Sequence, residues 1–208
     1  MILELLVQHL LLSIPAIVLS FVIAIPIGRI AFNYPKIGRV LTNMASLLYT
    51  IPALPLLIII PILFGTSLRS YSTVIIALVV YGVALMARSA TDAFGAVDPQ
   101  LRDTALAMGY SKMRIFWQVD LPLAAPLLLS GLRVVTVSTI ALVTIGALVG
   151  ISSLGSLLTD GFQRGIVVEV LTGTLLTMAI ALVLDVLLGS SRGLLLPWTK
   201  ATPESAGN

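Results

Sequence analysis

The stretch Asp103-Thr104-Ala105-Leu106-Ala107-Met108-Gly109-Tyr110-Ser111-Lys112-Met113-Arg114-Ile115-Phe116-Trp117-Gln118-Val119-Asp120-Leu121-Pro122 is polar and charged, yet long apolar runs flank it. Its local signals are helical. Asp98-Pro99 supplies an N-cap and a proline at the first helical position, so a short helix is expected over 99–108. Leu101, Ala105 and Met108 recur at helical spacing and predict one apolar stripe. Gly109 stands where a left-handed residue ends a helix. Ser111 caps a second helix, Lys112 to Val119, which Leu121-Pro122 is expected to stop. The product is a helix-turn-helix at the membrane surface, with the small Ala105 and Ala107 open to close approach by another protein. Residue types leave two readings: an amphipathic helix resting on headgroups, or a docking helix.

Composition sets the surroundings of this loop. The chain has 208 residues, 58% hydrophobic and 10% charged, against about 25% charged in soluble domains. It reads as one all-α membrane domain over 1–208. The absence of cysteine excludes disulfides and thiolate sites. A net charge of +3 matters through its placement and does not suggest nucleic-acid binding. The first apolar run reaches Ile27 without a preceding basic segment or a cleavage-type end, so a retained first helix is expected.

A spanning helix needs about 20 mostly apolar residues. Leu5–Gly28, Val40–Leu68, Ser70–Ala87, Val134–Thr159 and Val170–Leu184 contain no Asp, Glu, Lys or Arg. Five transmembrane spans are expected, near 7–29, 42–64, 72–91, 124–149 and 169–190. Arg29, Lys36, Arg39, Arg88, Arg102, Lys112, Arg114, Arg192 and Lys200 then share one face; only Arg69 and Arg164 lie on the other. The positive-inside rule puts the N-terminus outside, and the 92–122 loop and C-terminus in the cytoplasm.

Prolines interrupt the spans, most densely at Tyr49-Thr50-Ile51-Pro52-Ala53-Leu54-Pro55. This is either proline tolerated in a membrane helix or a bent helix lining a pathway. Polar residues within spans, Tyr49, Thr50, Tyr81, Thr136, Ser138, Thr139 and Thr144, are pathway candidates together with Pro52; helix–helix hydrogen bonding is the alternative. Gly146 to Gly161 predicts a broken or re-entrant segment. Arg133 and Asp185, the charges nearest the membrane interior, suggest a structural or gating ion pair. His9 is alone, and nothing catalytic is expected of it.

The loop spacing resembles the signature of membrane subunits of ATP-binding-cassette importers: Glu-Ala-Ala, three residues, Gly, nine residues, Ile-x-Leu-Pro. Ala105, Gly109, Leu121 and Pro122 match, while Asp103, Thr104 and Val119 replace Glu, Ala and Ile. Thr50-Ile51-Pro52, Val97-Asp98-Pro99, Leu121-Pro122-Leu123-Ala124 with Pro126, and Gly131-Leu132-Arg133 resemble the subgroup importing glycine betaine, choline, carnitine and related osmoprotectants. Gly150-Ile151-Ser152-Ser153-Leu154-Gly155 partly matches its Gly-Ala-Gly-Gly-Leu-Gly segment. Methionine importers are the nearest competitor.

The resemblance implies a type I importer permease fold, with coupling helices between the third and fourth spans. It implies two cytoplasmic ATP-binding subunits holding ATP and Mg²⁺, a second permease copy or sister permease, and an external substrate-binding protein. Asp103, Thr104, Ala105, Met108, Gly109, Leu121 and Pro122 would form the ATPase-coupling loop. No Gly-x-x-x-x-Gly-Lys-[Ser/Thr] phosphate loop is present, so this chain is not the ATPase and needs no cofactor of its own. An intramembrane enzyme would need a nucleophile–base or metal constellation, which one histidine and no cysteine disfavour. An ion-coupled carrier would carry acidic residues near the midplane, and the central parts of these spans have none. A membrane scaffold would leave the loop spacing without a reason.

Overall fold

The computed structural model describes residues 2–195, and all of their regular structure is helical. Lys200, counted above among the basic residues of the tail, lies outside the described residues. The order is α1 (Ile2–Asn33), α2 (Pro35–Thr50), α3 (Ala53–Phe64), α4 (Tyr71–Gly95), α5 (Pro99–Ala107), α6 (Lys112–Ile115), a π turn (Phe116–Asp120), α7 (Leu121–Val143), a 3₁₀ turn (Thr144–Val149), α8 (Gly155–Arg164) and α9 (Val167–Leu195). Among the described residues, Ile2–Asn33, Tyr71–Gly95, Lys112–Val149 and Val167–Gly193 are long and apolar enough to cross a membrane.

The expected second span, 42–64, is not one straight helix. It is broken between α2 and α3, whose axes differ by 113°. Pro52 bars helical backbone from the residue before it, and Ile51 is extended at φ −64°, ψ 125°. Two extended residues in succession, Ile51 and Pro52, let the chain turn sharply. The break strands the Ile51 carbonyl, and the Tyr81 hydroxyl of α4 donates to it.

The expected fourth span, 124–149, also has different bounds. The helical path starts at Lys112 and runs through the π turn into α7. At its far end it tightens to a 3₁₀ turn and stops at Gly150, φ 84°. The backbone of 146–161 thus leaves α geometry, turns through Ile151–Leu154 and restarts as α8. Ser153 is fully buried there, and its Oγ accepts from the Gly155 N–H.

Helix α4 is the hub, packed against α1, α2, α3 and α7. One apolar cluster joins Leu12, Leu57, Ile60, Leu78 and Val143 around the break. A second joins Ala24, Met86, Ala90, Phe94 and Leu128 at the end nearer α5. Close approach of backbones replaces side-chain bulk there: a Cβ on Gly28 of α1 would lie 2.5 Å from the Ala90 Cβ. Small residues at helix contacts allow the dispersion and weak polar contacts that hold helices together in lipid.

Candidate functional site

The 96–122 segment folds as its caps direct. The Asp98 carboxylate accepts the Gln100 N–H at 2.9 Å, with Pro99 in the first turn. After α5 the chain reverses at Gly109, φ 82°. The Tyr110 N–H reaches the Ala105 carbonyl at 3.0 Å, and the Gly109 N–H reaches that of Leu106 at 2.9 Å. These bonds satisfy the last carbonyls of the helix in the manner of a Schellman ending. Ser111 Oγ then accepts from the Arg114 N–H at 3.3 Å and starts α6.

Two expectations for this loop are corrected. Leu121-Pro122 does not stop the second helix. Proline lacks an N–H, and its ring collides with the carbonyl four residues back. The π turn relieves this: it inserts a residue before Pro122, and the Leu121 N–H bonds the Phe116 carbonyl. The helix therefore passes through the motif. The apolar stripe of α5 is also different. Ala105 is buried, at 2% exposure, so it packs inward and is not open to another protein. Leu101 and Met108 are 46% and 63% exposed, and Asp103, Thr104, Ala107 and Gly109 lie on the surface too. The Thr104 hydroxyl donates to the Gln100 carbonyl at 2.8 Å within its own helix.

The strongest electrostatic feature here was not singled out in the sequence. Asp120, the residue between Val119 and Leu121-Pro122, is completely buried in the π turn. Arg102 of α5 donates Nε–H to its Oδ1 at 2.5 Å. Arg29 of α1 brings Nη2 within 2.5 Å of Oδ2, an ion pair off the hydrogen-bonding direction. Arg102 also donates to the carbonyls of Val97 at 3.1 Å and Phe94 at 2.6 Å. The rings of Phe32, Phe94 and Phe116 lie within 5.7 Å of the Arg29 guanidinium carbon. One carboxylate thereby ties α5 and the π turn to α1, and Arg102 ties both to the end of α4. Breaking a buried pair costs about 3–5 kcal/mol because a charge is left uncompensated. The signal that could have found it is a lone acidic residue beside apolar helix, which must have a cationic partner in a low-dielectric setting. A cavity of about 740 Å³ opens beside the clamp, bounded by Arg29, Tyr34, Leu106, Lys112, Met113 and Trp117.

The pathway candidates do not form one group: Tyr81 meets Tyr49 at the α2–α3 break, while Thr136 and Thr139 belong to α7. Tyr49, Thr50 and Pro52 are exposed at the α2–α3 break. Tyr81, Thr136 and Thr139 are buried. Tyr81 packs edge-to-face on Tyr49, with ring centroids 6.0 Å apart. Thr136 bonds the Leu132 carbonyl at 2.8 Å in its own helix. His9 is buried and bonds the Ile140 carbonyl at 3.1 Å. Arg133 and Asp185 do meet: Nε and Nη2 donate to Oδ1 and Oδ2 at 2.7 and 2.6 Å, linking α7 to α9.

Known proteins share this fold. A chain of the MetNI methionine ABC transporter in an inward-facing crystal form superposes with a TM-score of 0.76 at 21% identity, covering 94% of each chain. An amino-acid ABC transporter chain gives 0.70 at 18% identity, covering 94% of this chain and 92% of that one. The architecture is that of a type I ABC importer permease. By sequence, the carnitine transport permease protein OpuCD of Listeria monocytogenes is 28% identical over 184 residues, 88% of this chain and 81% of that protein. The osmoprotectant import permease protein OsmW of Salmonella typhimurium is 29% identical over 197 residues, 91% of this chain and 89% of that protein. Residues 16–200 match the family described as binding-protein-dependent transport system inner membrane component. Spanning most of the chain, that match makes this protein a member of the family: a multi-pass membrane transport subunit, not itself an enzyme, of an importer whose ATPase is a separate subunit.

Proposed function

We propose that this chain is the permease of an ATP-driven importer for a small compatible solute such as glycine betaine, choline or carnitine. The observation that carries the coupling part is the exposed face of α5, with Asp103, Thr104, Ala107 and Met108 outward, on a helix anchored by the Asp120 clamp. A helix held by ion pairs to α1 and by hydrogen bonds to the end of α4 moves with them as one body. A docked ATPase that closes on ATP and Mg²⁺ would thus transmit its motion into the spans. Gly109 ends that helix; Leu121 and Pro122 set the π turn that joins it to α7.

The solute class rests on relatives whose own names state carnitine, choline, glycine betaine or osmoprotectant transport. The partners of this reading are a pair of cytoplasmic ATPases, a second permease copy or a sister permease, and an external binding protein. The N-terminus lies outside, and the α5–α6 loop and C-terminus lie in the cytoplasm of a bacterial cell membrane. The pathway passes the broken α2–α3 hinge at Tyr49, Thr50 and Pro52, with Tyr81 of α4 packed on Tyr49 behind it.

The test is ATP hydrolysis by the reconstituted complex with its cognate binding protein, scanned over glycine betaine, choline, carnitine, proline and methionine. Stimulation by the quaternary ammonium solutes supports the reading. Stimulation by methionine alone replaces the solute class, and failure of any ATPase to co-purify removes the importer role.

A further inference from the structure

The Arg133–Asp185 pair is more than a brace between α7 and α9. Both residues lie inside helices with long apolar runs, and Arg133 sits roughly 18 Å along the helix from Leu121. A purely structural contact here would be made as well by apolar side chains, because taking two charges out of water offsets much of their attraction. The pair is also not sealed. The side chains keep 42% and 23% exposure and border a cavity of about 460 Å³.

The lining of that cavity is patterned. Ser130, Arg133, Val134, Val137 and Ser138 fall at i, i+3, i+4, i+7 and i+8 on α7, with Asp185 opposite. Three of the five, Ser130, Arg133 and Ser138, are polar, and with Asp185 they give this face of α7 a polar stripe beside the exposed Val134 and Val137. Ser130 donates its hydroxyl to the Pro126 carbonyl at 3.0 Å, but facing hydrocarbon the stripe would still leave the Ser138 hydroxyl and an ion pair without water, a costly arrangement. Such a stripe belongs on a surface that meets water or a polar solute.

The hydrogen-bond geometry leaves both charges with unused capacity. Arg133 spends Nε–H and one Nη2–H on Asp185; its Nη1 has no partner among the described residues. Each Asp185 oxygen accepts one bond and retains a second lone pair. The guanidinium therefore keeps a donor edge for a carboxylate, while the Asp185 oxygens beside it keep a negative face for an ammonium. A zwitterion carries these two complements in one small molecule. It can join the existing pair without first breaking it.

We propose that Arg133 and Asp185 form an intramembrane binding site for a zwitterionic solute, with Arg133 taking the carboxylate and Asp185 the ammonium. The choice of a quaternary ammonium zwitterion rests on the solute class proposed above; the charge pattern of the site stands by itself. A cation without a carboxylate, such as choline, engages only Asp185.

The experiment is saturation-transfer NMR on the permease–ATPase complex in nanodiscs, without the binding protein, using glycine betaine and choline as separate probes. Signals are normalised to intact complex. The wild type is expected to transfer saturation to the betaine methyl protons. Arg133→Gln is expected to lower the betaine signal about tenfold, the loss of one charge-assisted contact, and to leave choline equal or stronger because Asp185 is released. Asp185→Asn lowers both. If Arg133→Gln does not assemble, Arg133→Lys retains the charge without the fork, and a fall in the betaine-to-choline ratio is expected. The proposal is overturned by no transfer from betaine in the wild type, by an equal change for both probes in Arg133→Gln, or by an unchanged ratio in Arg133→Lys. Transport of betaine with binding protein present, together with any of these negative results, overturns this site while leaving the proposed function standing.

Discussion

Asp120 is the residue on which the loop depends. With no exposed surface and two arginines within 2.5 Å, its replacement by Asn leaves two guanidinium groups facing a neutral amide. Loss of about 3 kcal/mol or more is expected, read as a lower Tm of the detergent-solubilised chain; an unchanged Tm would show that the clamp contributes no stability. Gly109 has open space where a Cβ would go, so the cost of substitution there is confined to the left-handed backbone. Gly109→Val is expected to insert normally but to lose solute uptake, whereas Gly109→Asn, tolerant of that conformation, retains most of it. Equal uptake by both variants contradicts a conformational role. Thr104 departs from the importer signature, yet its hydroxyl is spent on Gln100. Thr104→Ala is therefore expected to leave ATPase association within about twofold of wild type, as for a surface change of under about 0.5 kcal/mol. A larger shift measured by pull-down would put the hydroxyl at the contact itself.

At the scale of elements, two prolines are used in opposite ways. Pro52 ends a helix and produces a 113° break; Pro122 is absorbed by a π turn and the helix continues. Local sequence predicts a stop at Pro122 and a tolerated proline or a bend at Pro52, and the neighbours decide. Tyr81 supplies a donor to the carbonyl stranded by the first proline. Tyr81→Phe removes it and is expected to lower stability by about 1–3 kcal/mol, the cost of a buried acceptor left unmade, again measured as Tm. No change would mean that water or a neighbour replaces the hydroxyl. The caps around α5 were legible because they join residues two to five apart: Asp98 to Gln100, Ser111 to Arg114, Ala105 to Tyr110. The inward turn of Ala105 was not, since spacing defines a stripe without saying which side of the helix meets the rest of the protein.

For the molecule as a whole, α9 leaves Leu171, Leu175, Met178 and Leu182 exposed, at spacings of about one helical turn. Lipid and a second permease are the environments that suit such a face, and the importer reading requires a pair of permeases. Native mass spectrometry of the intact complex is expected to show two permease chains with two ATPases. A single permease chain per complex would contradict the proposed assembly.

The amino-acid sequence by itself determined the membrane class, the number of apolar segments, the spacing of the loop and the caps of its helices. These follow from composition and from interactions within a few residues of chain. Only the tertiary structure decided that the second apolar segment breaks, that Arg29 and Arg102 serve one buried carboxylate, and that Arg133 meets Asp185. Those contacts join residues far apart in the chain: packing of α1 and α7 around α4 assembles the Asp120 clamp, and the direct contact of α7 with α9 brings Arg133 to Asp185, where lipid offers their charges no other partner.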